Sequence, residues 1–121
     1  MLVSGCAWFR PAPPARPAAP ARELEVTATA FNSTRGQTDS SPEITAFGIR
    51  LRPGMRIVAV SRDLEALGLT EGVHIRIDGL DGDWSVGDRM DGRWTRKIDV
   101  YLGDDVDAAK RWGKRRVRIR W

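Results

Sequence analysis

From Glu23 onward, apolar and polar residues alternate in short runs, and most runs stop at a turn residue. Leu24-Glu-Val-Thr-Ala-Thr-Ala-Phe31 alternates with a period of two and carries β-branched side chains, which predicts a strand with one buried face. Asn32 to Pro42 is polar and predicts a loop; Ile44 to Leu51 is a candidate short strand before the Pro53-Gly54 turn. Arg56-Ile-Val-Ala-Val60 is a compact apolar strand. Ser61 to Leu67 reads as a short helix with Ser61 at its N-cap and Gly68 at its end. Further strands are expected over Gly72 to Gly79, Trp84 to Asp88 and Lys97 to Leu102, with Asp81-Gly82 as a turn. Asp104 to Trp112 predicts a helix, because acids in its first turn and bases in its last match the helix dipole. Gly113 breaks it, and a final strand runs to Trp121. Six or seven short strands and two small helices in about 100 residues predict a mainly β fold, a small β-barrel.

Composition narrows this picture without changing it. The chain of 121 residues has room for one domain with one modest core. No apolar run approaches the roughly 18 residues of a membrane-spanning helix. The net charge of +4 arises from 20 basic and 16 acidic residues, a mixed surface rather than a polycation. The basic run Lys114-Arg115-Arg116-Val-Arg118-Ile-Arg120 alternates with apolar residues, so it reads as a strand with one wet face and not as a nucleic-acid recognition helix. One cysteine, Cys6, excludes an internal disulfide and a cysteine-based zinc site, and His74 sits alone within an alternating run. No Ser-His-Asp set, P-loop or dinucleotide fingerprint occurs, and neither a metal nor a cofactor is expected.

Residues 1–22 differ from the rest. Arg10 to Arg22 holds five of the seven prolines among Ala and Arg, the composition of an extended linker. Before it, Val3-Ser-Gly-Cys6 resembles a bacterial lipobox, although a full lipoprotein signal carries an apolar stretch of about 7–15 residues and only Met1 and Leu2 precede this one. Either the true start lies upstream, with Cys6 lipidated and the domain tethered to a membrane, or the match is accidental. The folded domain is expected over residues 23–121.

Candidate chemistry concentrates between Trp84 and Gly103. Asp88 and Asp99 stand at the ends of two apolar runs, joined by a loop rich in Arg and Trp. Carboxylates are expensive to bury, so two aimed at one cleft would serve chemistry, whereas two in solvated turns would not. Alternation puts Lys97 and Tyr101 on the face of Asp99. A Lys97 ammonium there would lower the Asp99 pKa and oppose a role as an acid. Trp94, between Arg93 and Arg96, is placed to stack on a sugar ring while the arginines meet carboxylates. Trp84, Trp112 and Trp121 lie in periodic segments and are expected in the core.

Six segments, Val26-Thr-Ala-Thr-Ala-Phe31-Asn-Ser-Thr, Gln37-Thr-Asp-Ser-Ser-Pro42, Ile44-Thr-Ala46, Ile57-Val-Ala-Val-Ser-Arg-Asp63, Asp88-Arg-Met90 and Ile98-Asp-Val-Tyr-Leu-Gly103, occur in this order. Together they resemble the three-aspartate domain, a bacterial cell-wall module on a six-stranded double-psi β-barrel, related to membrane-bound lytic transglycosylase A and the stationary-phase survival muralytic proteins. The resemblance spans about residues 24–121. It implies a glycan lyase that cleaves the β-1,4 bond between N-acetylmuramic acid and N-acetylglucosamine, leaving a 1,6-anhydro sugar. It assigns Asp99 as general acid/base and Asp88 as its carboxylate neighbour. Thr27, Thr29, Thr45, Asp63, Arg93, Trp94 and Tyr101 are the candidate substrate contacts. It also implies a monomer acting on peptidoglycan in the bacterial cell envelope, with no nucleic acid as partner. Two positions depart from the family: Ser61 stands where an acid is common, leaving Asp63 and Asp39 as candidates for the third aspartate, and Phe31 replaces a common Tyr. Asp63 has a second reading, as an acid that favours the helix N-terminus. A non-catalytic glycan-binding barrel is the competing function, since fold does not fix activity.

Overall fold

The computed structural model describes residues 22–33 and 44–121. Cys6, the Pro/Ala-rich stretch to residue 21, and the whole 37–42 motif with Asp39 lie outside the described residues. Six strands and two helices follow one another as β1 (Glu23–Phe31), β2 (Ile57–Val60), α1 (Arg62–Ala66), β3 (His74–Ile77), β4 (Trp84–Arg89), β5 (Lys97–Tyr101), α2 (Val106–Trp112) and β6 (Arg115–Arg120). The strands close into a barrel in the order β1-β5-β2-β4-β3-β6, with β6 returning to β1. This is the mainly β, six-stranded barrel with two short helices that the sequence predicts. Two pairs, β1 with β5 and β2 with β4, are parallel, and the others are antiparallel.

Alternation fills the barrel. Val26 and Ala28 of β1, Val58 and Val60 of β2, Ile75 and Ile77 of β3, Trp84 and Val86 of β4, Ile98 and Val100 of β5, and Val117 and Ile119 of β6 form one buried cluster. Each large aliphatic side chain taken from water there contributes about 1.5–3 kcal/mol. Leu64 of α1 and Trp112 of α2 plug the same core, while Trp121 is only half-buried at its margin. His74 falls on the exposed face of β3.

A second, smaller cluster lies outside the barrel, where Leu51, Ile57 and Tyr101 pack with Phe31 and Met55. The segment 44–51 covers this patch, but it forms no strand, only one bridge between Ile44 and Arg50. The reason is local. The Thr45 hydroxyl accepts hydrogen bonds from the amides of Phe47 and Ile49 at 3.2 and 3.1 Å, curling the chain into a turn.

Ser61 does precede α1, yet its side chain caps no helical amide. Its hydroxyl instead accepts from the Lys97 amide at 3.1 Å, tying α1 to β5. At α2 the cap is Asp105, whose carboxylate accepts from the Ala108 amide at 2.9 Å. The seam between β1 and β6 joins the two ends of the described fold. Arg22 and Trp121 exchange backbone hydrogen bonds of 2.9 and 3.0 Å, and Arg116 and Arg120 pair with Glu25 and Glu23 along it.

Candidate functional site

Asp99 sits in the middle of β5, with Ile98 and Val100 facing inward on either side. Its own side chain therefore points out of the barrel. Register places four residues in one row across the sheet: Thr29 opposite Asp99, Asp99 opposite Ala59, and Ala59 opposite Asp88. At about 4.8 Å per strand, the Asp99 and Asp88 backbones stand about 10 Å apart. Ala59 between them has a side chain of one carbon, which leaves the space above it open.

Simple alternation would have put Asp88 on the wrong side. Trp84 and Val86 point into the core, so a regular strand would send Asp88 inward with them. The register shifts between Val58 and Ala59, where Val86 and Asp88 face consecutive residues and Gly87 is the extra one. This bulge turns Asp88 outward into the row of Asp99. Gly87 is the residue that fits. A Cβ there would lie 2.8 Å from Ile57 Cγ2 and 3.0 Å from its Cδ1.

Asp99, Asp88, Ala59, Phe31, Arg89, Met90, Asp91 and Trp94 line a cleft of about 260 Å³. Burial raises the Asp99 carboxyl above the ordinary carboxylate range. The Thr29 hydroxyl, donating to Oδ1 at 3.0 Å, and the Lys97 ammonium both pull it down, while Asp88 adds a small push upward. The net direction is up. Lys97 thus does not reverse the direction, because burial outweighs it; its Nζ lies over the Trp94 ring, 3.6 Å from the centroid.

Asp88 has a second employment. Its Oδ1 accepts from the amides of Ala46 and Arg89 at 2.7 and 2.8 Å, clamping the 44–50 turn to β4. Asp63 also holds backbone rather than facing the cleft. Its Oδ2 accepts from the Arg96 amide at 2.9 Å. Burial raises its pKa, but hydrogen bonds from Ser61 and from the amides of Arg96, Asp63 and Leu64 together outweigh this and leave it lowered.

Of the sequence-predicted residues, then, Asp99, Asp88 and Trp94 share the cleft and Thr29 holds Asp99. Four candidates are placed elsewhere. Thr45 is buried, with its oxygen occupied by its own turn. Tyr101 is 1% exposed, bonded through its hydroxyl to Ser33 and packed in the outer cluster, so no ligand at Asp99 reaches it. Thr27 stands beside Lys97 and Arg116 in the sheet, outside the cleft lining. Asp63 is the loop clamp already described. Arg93 is exposed at the rim, its guanidinium 5.0 Å from the Trp94 ring centroid. Sequence reading missed Ala59, whose signal was a single small residue in a bulky strand, and also the wall made by Phe31, Met90 and Arg89. A larger cleft of about 520 Å³ lies beyond Tyr101, lined by Arg56, Trp84, Asp81, Asp104 and Asp105 among others. Its acids are exposed, so the smaller cleft with the half-buried carboxyl is the chemical candidate. Among the described residues, no group of three or more His, Cys, Asp or Glu side chains converges to hold a metal, and no helix is long and apolar enough to cross a membrane.

No protein-family model matches the chain, and no curated protein matches it either.

Proposed function

We propose that the protein is a peptidoglycan lytic transglycosylase-like glycan lyase acting in the bacterial cell envelope, with Asp99 as its general acid/base. The observation that carries this reading is one outward-facing, half-buried carboxyl with a raised pKa, lying in a cleft beside an aromatic ring. An acid that must first give a proton and then take one needs a pKa lifted toward the working pH. In the reaction, protonated Asp99 gives its proton to the glycosidic oxygen as the bond from that oxygen to C1 breaks. The sugar passes through an oxocarbenium-like state. Its C6 hydroxyl then attacks C1 while the Asp99 carboxylate accepts the hydroxyl proton. A 1,6-anhydro sugar leaves, no water is consumed, and Asp99 is protonated again. Thr29 occupies Oδ1 and leaves Oδ2 for the proton. Trp94 offers a ring for sugar stacking.

The competing reading is a glycan-binding barrel without catalysis. The clamp that Asp88 makes on two backbone amides favours it, because it gives the second carboxylate a structural reason to exist. One experiment separates the two. The purified chain is incubated with peptidoglycan and the soluble fraction is searched for 1,6-anhydro-muropeptides by mass spectrometry. Release by wild type and its loss in Asp99→Asn, with an unchanged melting curve, supports the lyase. Retention on sedimented wall without any anhydro product leaves the binder.

A further inference from the structure

The loop that joins β4 to β5 carries Arg93, Trp94 and Arg96, and Lys97 opens β5. This loop is fixed on several sides. The Asp91 carboxylate accepts from the Arg93 amide at 3.0 Å, and the Trp94 amide donates to the Asp91 carbonyl at 3.1 Å. Arg96 adopts a φ of 45°, uncommon for a residue with a side chain, and Asp63 holds its amide in that conformation. Ser61 takes the Lys97 amide. The basic side chains are therefore presented on a preorganised frame, which reduces the entropy lost when they bind a ligand.

Their charges are also less compensated than those of β6 and of Arg89. On β6, Arg116, Arg118 and Arg120 all face Glu23, Glu25 or Asp78, and on β4 Arg89 is held by both oxygens of Glu65. Lys97 rests on the Trp94 ring instead of an acid, and Arg93 has Asp91 only at 4.0 Å. Arg96 makes no side-chain ion pair within the described residues. Trp94, the ring on which Lys97 and Arg93 rest, lines the cleft of Asp99.

We infer that Arg93 and Lys97, set on Trp94, and Arg96 of the same loop form an anion subsite beside Asp99 that takes a carboxylate carried by the glycan next to the scissile bond. The inference rests on the lyase reading for the glycan, but the charge preference stands apart from catalysis. A neutral aminosugar chain would gain nothing from the three cations. Two sources supply the carboxylate in wall glycan: the lactyl ether of the muramic sugar where the stem is absent, and the peptide itself where the stem occupies the lactyl carboxyl as an amide.

The test is binding to the full-length Asp99→Asn chain, measured by titration calorimetry in low salt. The probes are chitin oligosaccharides, peptide-free wall glycan and wall glycan with intact stems, at equal length. At least one of the acidic glycans should bind more tightly than chitin, with a difference that shrinks as salt is added. Lys97→Gln and Arg96→Gln, made separately so that either alone can decide, should each weaken acidic glycan about fivefold. Neither should alter chitin binding, and Lys97→Arg should restore the preference. If only intact stems gain over chitin, the subsite takes a peptide carboxylate; if only peptide-free glycan gains, it takes the lactyl carboxylate; if both gain, it accepts either. Equal affinity for chitin and acidic glycans, or equal weakening of both by the substitutions, overturns the subsite. Anhydro-muropeptide release without charge preference removes the subsite alone; charge preference without release by wild type removes the lyase alone. No binding to any glycan removes both.

Discussion

Replacing Gly87 by Ala tests the bulge that brings Asp88 to the site. The added Cβ would stand 2.8 Å from Ile57 Cγ2, 3.0 Å from Ile57 Cδ1 and 3.2 Å from Ile49 Cδ1. Carbon atoms rest comfortably at about 3.5–4.0 Å, so the closest contact is short by nearly 1 Å. Ile57 has little room to yield, because it is β-branched and packed with Leu51 and Tyr101 in the outer cluster. Gly87 itself has no positive φ, so the effect is steric and not conformational. Overpacking of this kind costs about 1–3 kcal/mol. For a domain of this size that is a fall in melting temperature of about 5–20 °C. Calorimetry or circular dichroism on wild type and Gly87→Ala reads it directly, and the same substitution in an Ile57→Ala background provides the control. With the opposing side chain removed, the added methyl should cost about 1 kcal/mol less than before. A Gly87→Ala protein that melts with wild type, or a cost identical in both backgrounds, would refute the argument that contact with Ile57 excludes a side chain from the bulge.

Two further outcomes follow from the same geometry. On the lyase reading Asp99 must begin protonated, and its raised pKa keeps it so to higher pH than an ordinary aspartate, with activity falling as pH rises through that value. Thr29→Val and Lys97→Gln each remove an influence that lowers it, so the alkaline limb of the pH–rate profile should move to higher pH in both; a shift to lower pH would contradict the assigned causes. The same raised pKa means the protonated form is the better buried one, so this group's stabilisation is present at low pH and is lost as pH rises through the folded value. Asp88→Ala should free the amides of Ala46 and Arg89, and hydrogen exchange should accelerate at Ala46 while the barrel amide of Val100 stays protected. Unchanged exchange at Ala46 would show that the turn holds without its clamp.

Much of the barrel was legible because its strands bury one face each. Val26 and Ala28, Ile75 and Ile77, and Val117 and Ile119 all obey a period of two, and the acids and bases of α2 mark its ends. The parallel pairing of β1 with β5 was not, since alternation says which face is buried but not which strand lies alongside. The Thr29–Asp99 hydrogen bond spans 70 residues of sequence and exists only through that register. Asp88 illustrates a deeper limit. Counting by twos from Trp84 aims it into the core, and only the extra residue at Gly87 reverses it. Thr45 and Tyr101 were assigned as ligand contacts on their chemistry, but the nearest partners of their oxygens turned out to be Phe47, Ile49 and Ser33. Asp63 stands in the first turn of α1 as its reading as a helix-start acid expects, but it also takes an amide 33 positions away, which no local pattern announces.

The seam between β1 and β6 also sets an order in time. Strand β1 finds one neighbour in β5 and the other in β6, which ends at Arg120, so its second edge waits for almost the whole domain to be synthesised. Pairings of such long sequence separation are slow to form, and an open edge is a template for wrong partners while it waits. The charged outer face of β1, with Glu23 and Glu25, keeps that waiting edge soluble until the arginines of β6 arrive to cover it. The barrel therefore closes only once β6 is available to pair with β1.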